Sequence, residues 1–240
     1  MSVLSRPHPL DSRPALRDLL TKLHALSLEQ EKERYERGGH FPTTASTTDN
    51  QRFAEQLVAL DEDKAQAIYL LLKAMGATRV VEAGTSYGVS LLWLLAAVTE
   101  TVSSSSSRPS PHPPLVIGTE NVPSKASIAL EHVEQAFGAV PECLQLLQGD
   151  LLETLPAANL PDGSIDALLL DIWAPLALPT LKILVPKLRV GAAVFIDNSV
   201  ASEGRYADLL NFVRAEGSGF QSVVLPFSSG LEMVVFQGTG

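Results

Sequence analysis

The chain has 240 residues, 45% apolar and 19% charged, with 16 Gly and 16 Pro, the composition of one large folded domain and not of a disordered or collagen-like chain. A formal charge of −9 sets it against phosphate backbones and anionic lipid, so neither nucleic acid nor a membrane is expected as a partner. The single cysteine, Cys143, excludes an internal disulfide and any zinc site built from several thiolates; the N-terminus lacks an apolar h-region, and the longest apolar run, Leu91 to Val98, is too short to span a bilayer, so a cytoplasmic protein is expected.

Arg13 to Arg37 place Leu16, Leu19, Leu20, Leu23, Leu26 and Leu28 at helical spacings and stop at Gly38-Gly39. The polar, Thr-rich stretch His40 to Asn50 reads as a loop that covers a site or connects. Residues 1–48 thus form an N-terminal helical region with a lid loop, and residues 49–240 the main domain. Further helices are expected over Asp49 to Leu60 and Asp61 to Met75, the second closed by Gly76. Its acidic start, Asp61, Glu62 and Asp63, suits a helix N-terminus, and Lys64 beside it can reach the mouth of a site.

From Thr78 onward, short β-like runs alternate with helical ones: TRVVEAG, SLLWLLAAVTE, PLVIGTE, PSKASIALEHVEQAFG, LQLLQGD, IDALLLDIW, ALPTLKILVPKL and GAAVFIDNS. Such alternation predicts a parallel sheet with helices on both faces, and the last pair, FQSVVLPFSS and LEMVVFQG, predicts an antiparallel hairpin at its edge. The expected fold is therefore α/β: a seven-stranded, mostly parallel, Rossmann-like sheet with an antiparallel C-terminal hairpin. Thr101 to Pro114, TVSSSSSRPSPHPP, reads as a flexible surface insertion.

Ligands of open α/β sheets bind at the carboxyl ends of the strands. The first strand ends in Glu82-Ala83-Gly84-Thr85-Ser86-Tyr87-Gly88, with Ser90 opening a helix. The glycines allow a tight turn, and the helix N-terminus offers N–H groups to a carboxylate. Glu82, two residues before the first glycine, repels a pyrophosphate but suits an ammonium, so a bound amino-acid moiety fits better than a nucleotide phosphate. Glu120 ends the second strand and can accept from a ribose diol, or can cap the next helix; Asp150, after the third, can reach an adenine amine. Asp171-Ile172-Trp173 and Asp197-Asn198 end the fourth and fifth strands and present two carboxylates and an amide oxygen, a hard set suited to Mg²⁺.

With Asp63-Lys64-Ala65-Gln66 ahead of the first strand and Gly230-Leu231-Glu232 near the end, the residues above resemble, in order and spacing, the small class I S-adenosylmethionine (SAM)-dependent O-methyltransferases of the catechol O-methyltransferase-like family, from about Asp63 to Gly238. The resemblance implies that Glu82, Gly84, Ser86, Gly88 and Ser90 hold the methionine portion of SAM, that Glu120 holds the ribose, and that Trp173 packs near the adenine or the acceptor. It also implies Mg²⁺ on Asp171, Asp197 and Asn198, so that Asp171 serves both cofactor site and catalysis, and a role for Glu232 in holding an acceptor hydroxyl. The catechol enzyme has a lysine after the Trp as general base, where this chain reads Trp173-Ala174-Pro175, and Ile172 stands where a polar side chain is expected. His40 is the candidate replacement base; the remaining histidines, His8, His24, His112 and His132, read as surface residues. The implied activity is methyl transfer to a hydroxyl of a small, aromatic acceptor with divalent-metal assistance. Alternatives are a metal-independent methyltransferase acting on an amine or carboxylate, and a non-catalytic cofactor-binding module. The oligomeric state stays open between monomer and homodimer.

Overall fold

The computed structural model describes residues 7–36, 56–104 and 110–238. Pro14, whose fixed φ suits a first helical turn, opens α1 (Pro14–Glu36), and Leu16, Leu19, Leu20 and Leu23 are buried as their spacing requires. The lid loop falls almost wholly outside the described residues. The helix expected over Asp49 to Leu60 needs correction: residues 49–55 lie outside the described set, and residues 56–61 are not helical. Their backbone is bonded sideways to α1 instead. The Leu57 N–H donates to Gln30 Oε1 (2.8 Å), the Ala59 N–H donates to Ser27 Oγ (3.0 Å), and the Ser27 hydroxyl donates to the Leu57 carbonyl (3.3 Å). Groups spent on tertiary partners are not free to close helical rings.

α2 (Glu62–Met75) carries Glu62 and Asp63 in its first turn and ends on Gly76 in the left-handed region, whose N–H closes the last turn. There follow β1 (Arg79–Ala83), α3 (Val89–Ser103), β2 (Leu115–Glu120), α4 (Pro123–Phe137), β3 (Leu144–Gln148), α5 (Leu151–Ala157), β4 (Ile165–Leu170), α6 (Ala174–Leu184), β5 (Leu188–Asp197), α7 (Ala207–Arg214), β6 (Phe220–Leu225) and β7 (Leu231–Phe236). Thr101 to Ser103, expected in the surface insertion, complete α3, and Thr101 is buried; residues 105–109 lie outside the described set.

The seven strands form one sheet in the order β3-β2-β1-β4-β5-β7-β6. β7 is antiparallel to both β5 and β6, and the other pairings are parallel, so the expected sheet and terminal hairpin are both present. The chain runs outward from β1 to β3 and then returns to set β4 against β1, which creates the switch-point crevice between them. β1 and β4 are buried along their whole length. One core, on the α1, α2 and α3 face, holds Leu20, Tyr69, Leu72, Trp93 and Phe195; the other holds Leu155, Leu181, Ile196 and Leu209 under α5, α6 and α7. His24, expected at the surface, is buried in the first of these and accepts from the Trp93 indole N–H (3.2 Å); burial holds its pKa below the usual value. Among the described residues no helix is long and apolar enough to cross a membrane.

At the amino ends of the strands, Asp166 of β4 is a buried staple. Its Oδ2 accepts from the Thr78 N–H (2.9 Å) and the Arg79 N–H (3.0 Å), while its Oδ1 pairs with Arg189 Nε of β5 (2.6 Å). Replacing it by Ala leaves two buried amides and one guanidinium without their acceptor, so urea unfolding of Asp166→Ala is expected to show a loss of about 2–4 kcal/mol. Asp166→Asn, which keeps an acceptor oxygen, should lose less.

Candidate functional site

The carboxyl ends of β1, β2, β4 and β5 converge on the crevice. β1 pairs in register so that Glu82 lies opposite Gly118 of β2 and Leu169 of β4. After Ala83 the chain turns at Gly84, with φ of 95°; a Cβ there would stand 2.2 Å from the Asp171 carbonyl and 2.5 Å from Ile172 Cγ2. Only glycine lets the turn lie this close to the end of β4. On the other side Gly118 admits Thr85, since its Cβ would meet Thr85 Oγ1 at 2.5 Å. Thr119 locks the turn: its hydroxyl accepts from the Gly84 N–H (3.1 Å) and donates to the Glu82 carbonyl (3.2 Å).

Glu82 is fully buried. The Thr85 hydroxyl donates to its Oε2 (2.6 Å), and among the described residues its Oε1 has no hydrogen-bond partner. Burial pushes this carboxyl up to about 7, the hydroxyls of Ser90 and Thr85 opposing and Glu120 adding to the shift. An orphaned buried acceptor costs about 1–3 kcal/mol, and an ammonium donor would relieve it. Ser86 sits in the left-handed region at φ of 49°, and α3 starts at Gly88 with no side-chain cap, which leaves its first-turn N–H groups to a ligand carboxylate. The residues present therefore fit the amino-acid end of SAM.

Glu120 holds two backbone amides, from Ser86 (2.7 Å) and Val122 (2.8 Å), so it organises the glycine turn and keeps a lone pair on each oxygen for a diol. Asp150 is exposed and accepts the Leu152 N–H (2.9 Å) as the cap of α5. Trp173 is 45% exposed at the start of α6, two residues beyond Asp171.

The remaining acids surround a lysine. Lys64, 0% exposed, places its ammonium 2.7 Å from Asp197 Oδ1 and 3.0 Å from Asp61 Oδ2. Burial lowers its pKa, but Asp197 and Asp61 reverse the shift and leave it raised. Burial, together with Asp197 and Glu82, lifts Asp171 well above the usual carboxylate range, and burial lifts Asp197 against the opposing charge of Lys64. Asn198, left-handed at φ of 56°, donates its side-chain N–H to Asp197 Oδ2. Beside this cluster a cavity of about 450 Å³ opens between Asp61, Glu62, Asp63, Gln66 and Ser228.

These contacts bear directly on Mg²⁺. Both oxygens of Asp197 already take donors, Asn198 offers it nitrogen instead of a ligating oxygen, and a buried ammonium stands against the carboxylate a metal would need. Among the described residues no group of three or more His, Cys, Asp or Glu is placed to hold a metal ion. Asp171 lies within electrostatic reach of Asp197, and Asn198 is bonded to Asp197, but as arranged the three do not fit a divalent metal.

Glu232 also departs from its expected role. It pairs in register with Ile196, one residue from Asp197, and strand alternation therefore turns it to the opposite face of the sheet. There it is buried and gripped by the Arg214 guanidinium, from Nε at 2.9 Å and Nη2 at 2.5 Å. It is a structural ion-pair partner of α7 and does not join the Asp171–Asp197 cluster. His40 lies outside the described residues. Sequence patterns did not point to Tyr206, which is buried and donates to the Ile172 carbonyl (2.8 Å), or to Thr119.

Residues 81–199, from β1 to the end of β5, match the family model described as a methyltransferase domain. This segment is similar to that family. No match is found among curated proteins. Solved structures show the same fold across nearly the whole chain. The cofactor-bound protein Rv0187 from MTB is 19% identical, with 97% of this chain and 99% of that one covered and a TM-score of 0.65. An O-methyltransferase from Bacillus cereus in complex with SAH is 18% identical, over 98% and 94%, with a TM-score of 0.63. TomG, an O-methyltransferase of Streptomyces achromogenes involved in tomaymycin synthesis and solved with SAM, is 19% identical, over 88% and 99%, with a TM-score of 0.58.

Because a Cβ at position 84 meets backbone and the turn needs positive φ, Gly84→Ala is expected to lose about 2 kcal/mol or more in urea unfolding. Calorimetric titration with SAM should show at least a tenfold weaker complex, since the turn that presents Glu82 and the start of α3 would shift.

Proposed function

We propose that the protein transfers the methyl group of SAM to an oxygen of a small, aromatic acceptor. The observation that carries this proposal is the orphaned Glu82 Oε1, buried beside a glycine turn and an uncapped helix start. That combination suits a ligand bearing an ammonium and a carboxylate on one carbon. The names of the structural relatives, O-methyltransferases solved with SAM or SAH, support the choice of cofactor and of oxygen as the acceptor atom. The exposed Trp173 supports an aromatic acceptor.

Bound SAM would supply a sulfonium methyl, already electrophilic, so that positioning accounts for most of the acceleration. Glu82 would hold its ammonium, the first turn of α3 its carboxylate, and Glu120 its ribose diol. The acceptor would lie across Trp173 toward the ends of β4 and β5. With Ala174 where the resemblance places a lysine, the acceptor proton has no base at that position.

The ammonium partnership has a signed pH consequence. A carboxyl near 7 in the folded protein and 4.5 in a solvated one binds an extra proton when folded between those values, so its burial weakens the fold as pH rises through that window. A ligand ammonium favours the carboxylate and drives that proton out. Calorimetry of SAM binding in buffers of different ionisation enthalpy should therefore show about one more proton released by wild type than by Glu82→Gln at pH 6, the difference fading by about pH 8. Absence of SAM binding, or equal proton release in both proteins, would falsify the assignment.

A further inference from the structure

We infer that Lys64 is the built-in cation of this site, a buried ammonium that stands where the resemblance asks for a divalent metal and that faces the acceptor oxygen. Three features of the structure carry this. Lys64 comes from the first turn of α2, outside the strand ends that make up the rest of the site, yet its side chain is buried to the tip against Asp197. Its ammonium has three N–H donors, of which Asp197 and Asp61 take two, and among the described residues the third has no protein acceptor. Asp197 already takes a donor on each oxygen, Lys64 on Oδ1 and the Asn198 amide on Oδ2, so a second cation would crowd these donors and face the repulsion of the first.

A buried ammonium persists only where anions compensate it. Lys64 and Asp197 thus depend on each other, and Asp171, half-buried at the end of β4, feels the same charge. A fixed ammonium can hold and polarise an acceptor oxygen through one directed N–H, which a metal would do by coordination. This consequence rests on the methyl-transfer function proposed above, whereas the occupancy of the cation position does not.

Titration with Mn²⁺, followed by the electron paramagnetic resonance signal of the free ion, separates the two. Wild-type protein should leave the signal unchanged at millimolar Mn²⁺. Lys64→Met, which keeps the apolar stem and frees Asp197 and Asp171, should bind one Mn²⁺ at least tenfold more tightly than wild type, and adding Asp197→Asn should remove that binding. Lys64→Gln serves the same purpose should circular dichroism show the Met variant unfolded. Stoichiometric Mn²⁺ binding by wild type that Asp197→Asn abolishes would overturn the inference, as would a folded Lys64→Met or Lys64→Gln protein that binds no Mn²⁺. SAM titrated into the same samples reports the cofactor separately, so its failure to bind would count against methyl transfer and leave the metal result standing.

Discussion

One ammonium acts on the carboxylates that end β4 and β5. Glu82, Asp171 and Asp197 are set by β1, β4 and β5 at adjacent strand ends, and each is held above its ordinary pKa first by loss of water. Lys64 supplies an opposing charge to Asp171 and Asp197, which requires the start of α2 to lie over the end of β5. The start of α2 is in turn placed by the segment before it, whose Leu57 and Ala59 amides are bonded to Gln30 and Ser27 of α1. A line of contacts therefore runs from the N-terminal helix to the strand ends. α1 contributes to the site through this positioning and shares one apolar core with α2 and α3.

The sheet was legible in the sequence because buried parallel strands leave a distinctive mark, short apolar runs each ending in a polar or glycine-rich turn. The acids at those turns were legible for the same reason, since the end of a run is the point where a side chain leaves the core. Glu232 was not, because both faces of this sheet are covered by helices and both parities of β7 carry apolar residues. Which face Glu232 takes depends on its register against β5, a tertiary fact. Lys64 was legible only as a residue near the mouth. Its burial depends on a partner 133 positions away, and no local pattern reports that distance. The expected helix fails over residues 56–60 for a similar reason: Leu57 and Leu60 fall at helical spacing, but Ser27 and Gln30 claim the backbone over residues 57–59.

The two halves of the site differ in what builds them. On the β1–β2 side the contacts are largely backbone: Gly84 against the Asp171 carbonyl, the Thr119 hydroxyl between two main-chain groups, and Glu120 on two amides. Such contacts are demanded by the turn itself and change little with the identity of the neighbouring side chains. On the β4–β5 side the contacts join side chains from elements far apart in sequence. Lys64 meets Asp197, Tyr206 reaches the Ile172 carbonyl, and the β6–β7 turn is pressed onto the loop after β5, where the Ser229 carbonyl accepts the Val200 and Ala201 amides.

This division explains how the β4–β5 side can change while the glycine turn beside it is left intact. Exchanging a metal for an ammonium changes net charge and donor geometry only around Asp197, and Thr119, Glu120 and the start of α3 are not among the groups that hold Lys64. The compensation must then be local. A divalent ion would bring two positive charges to Asp171 and Asp197, whereas Lys64 brings one, and a site short of one charge is expected to retain a proton. Asp171, lifted by burial and by both of its acidic neighbours, is the group placed to hold it. In this arrangement proton and ammonium together carry the charge that a metal would carry alone, and the acceptor half of the site becomes a hydrogen-bonding surface in place of a coordination sphere.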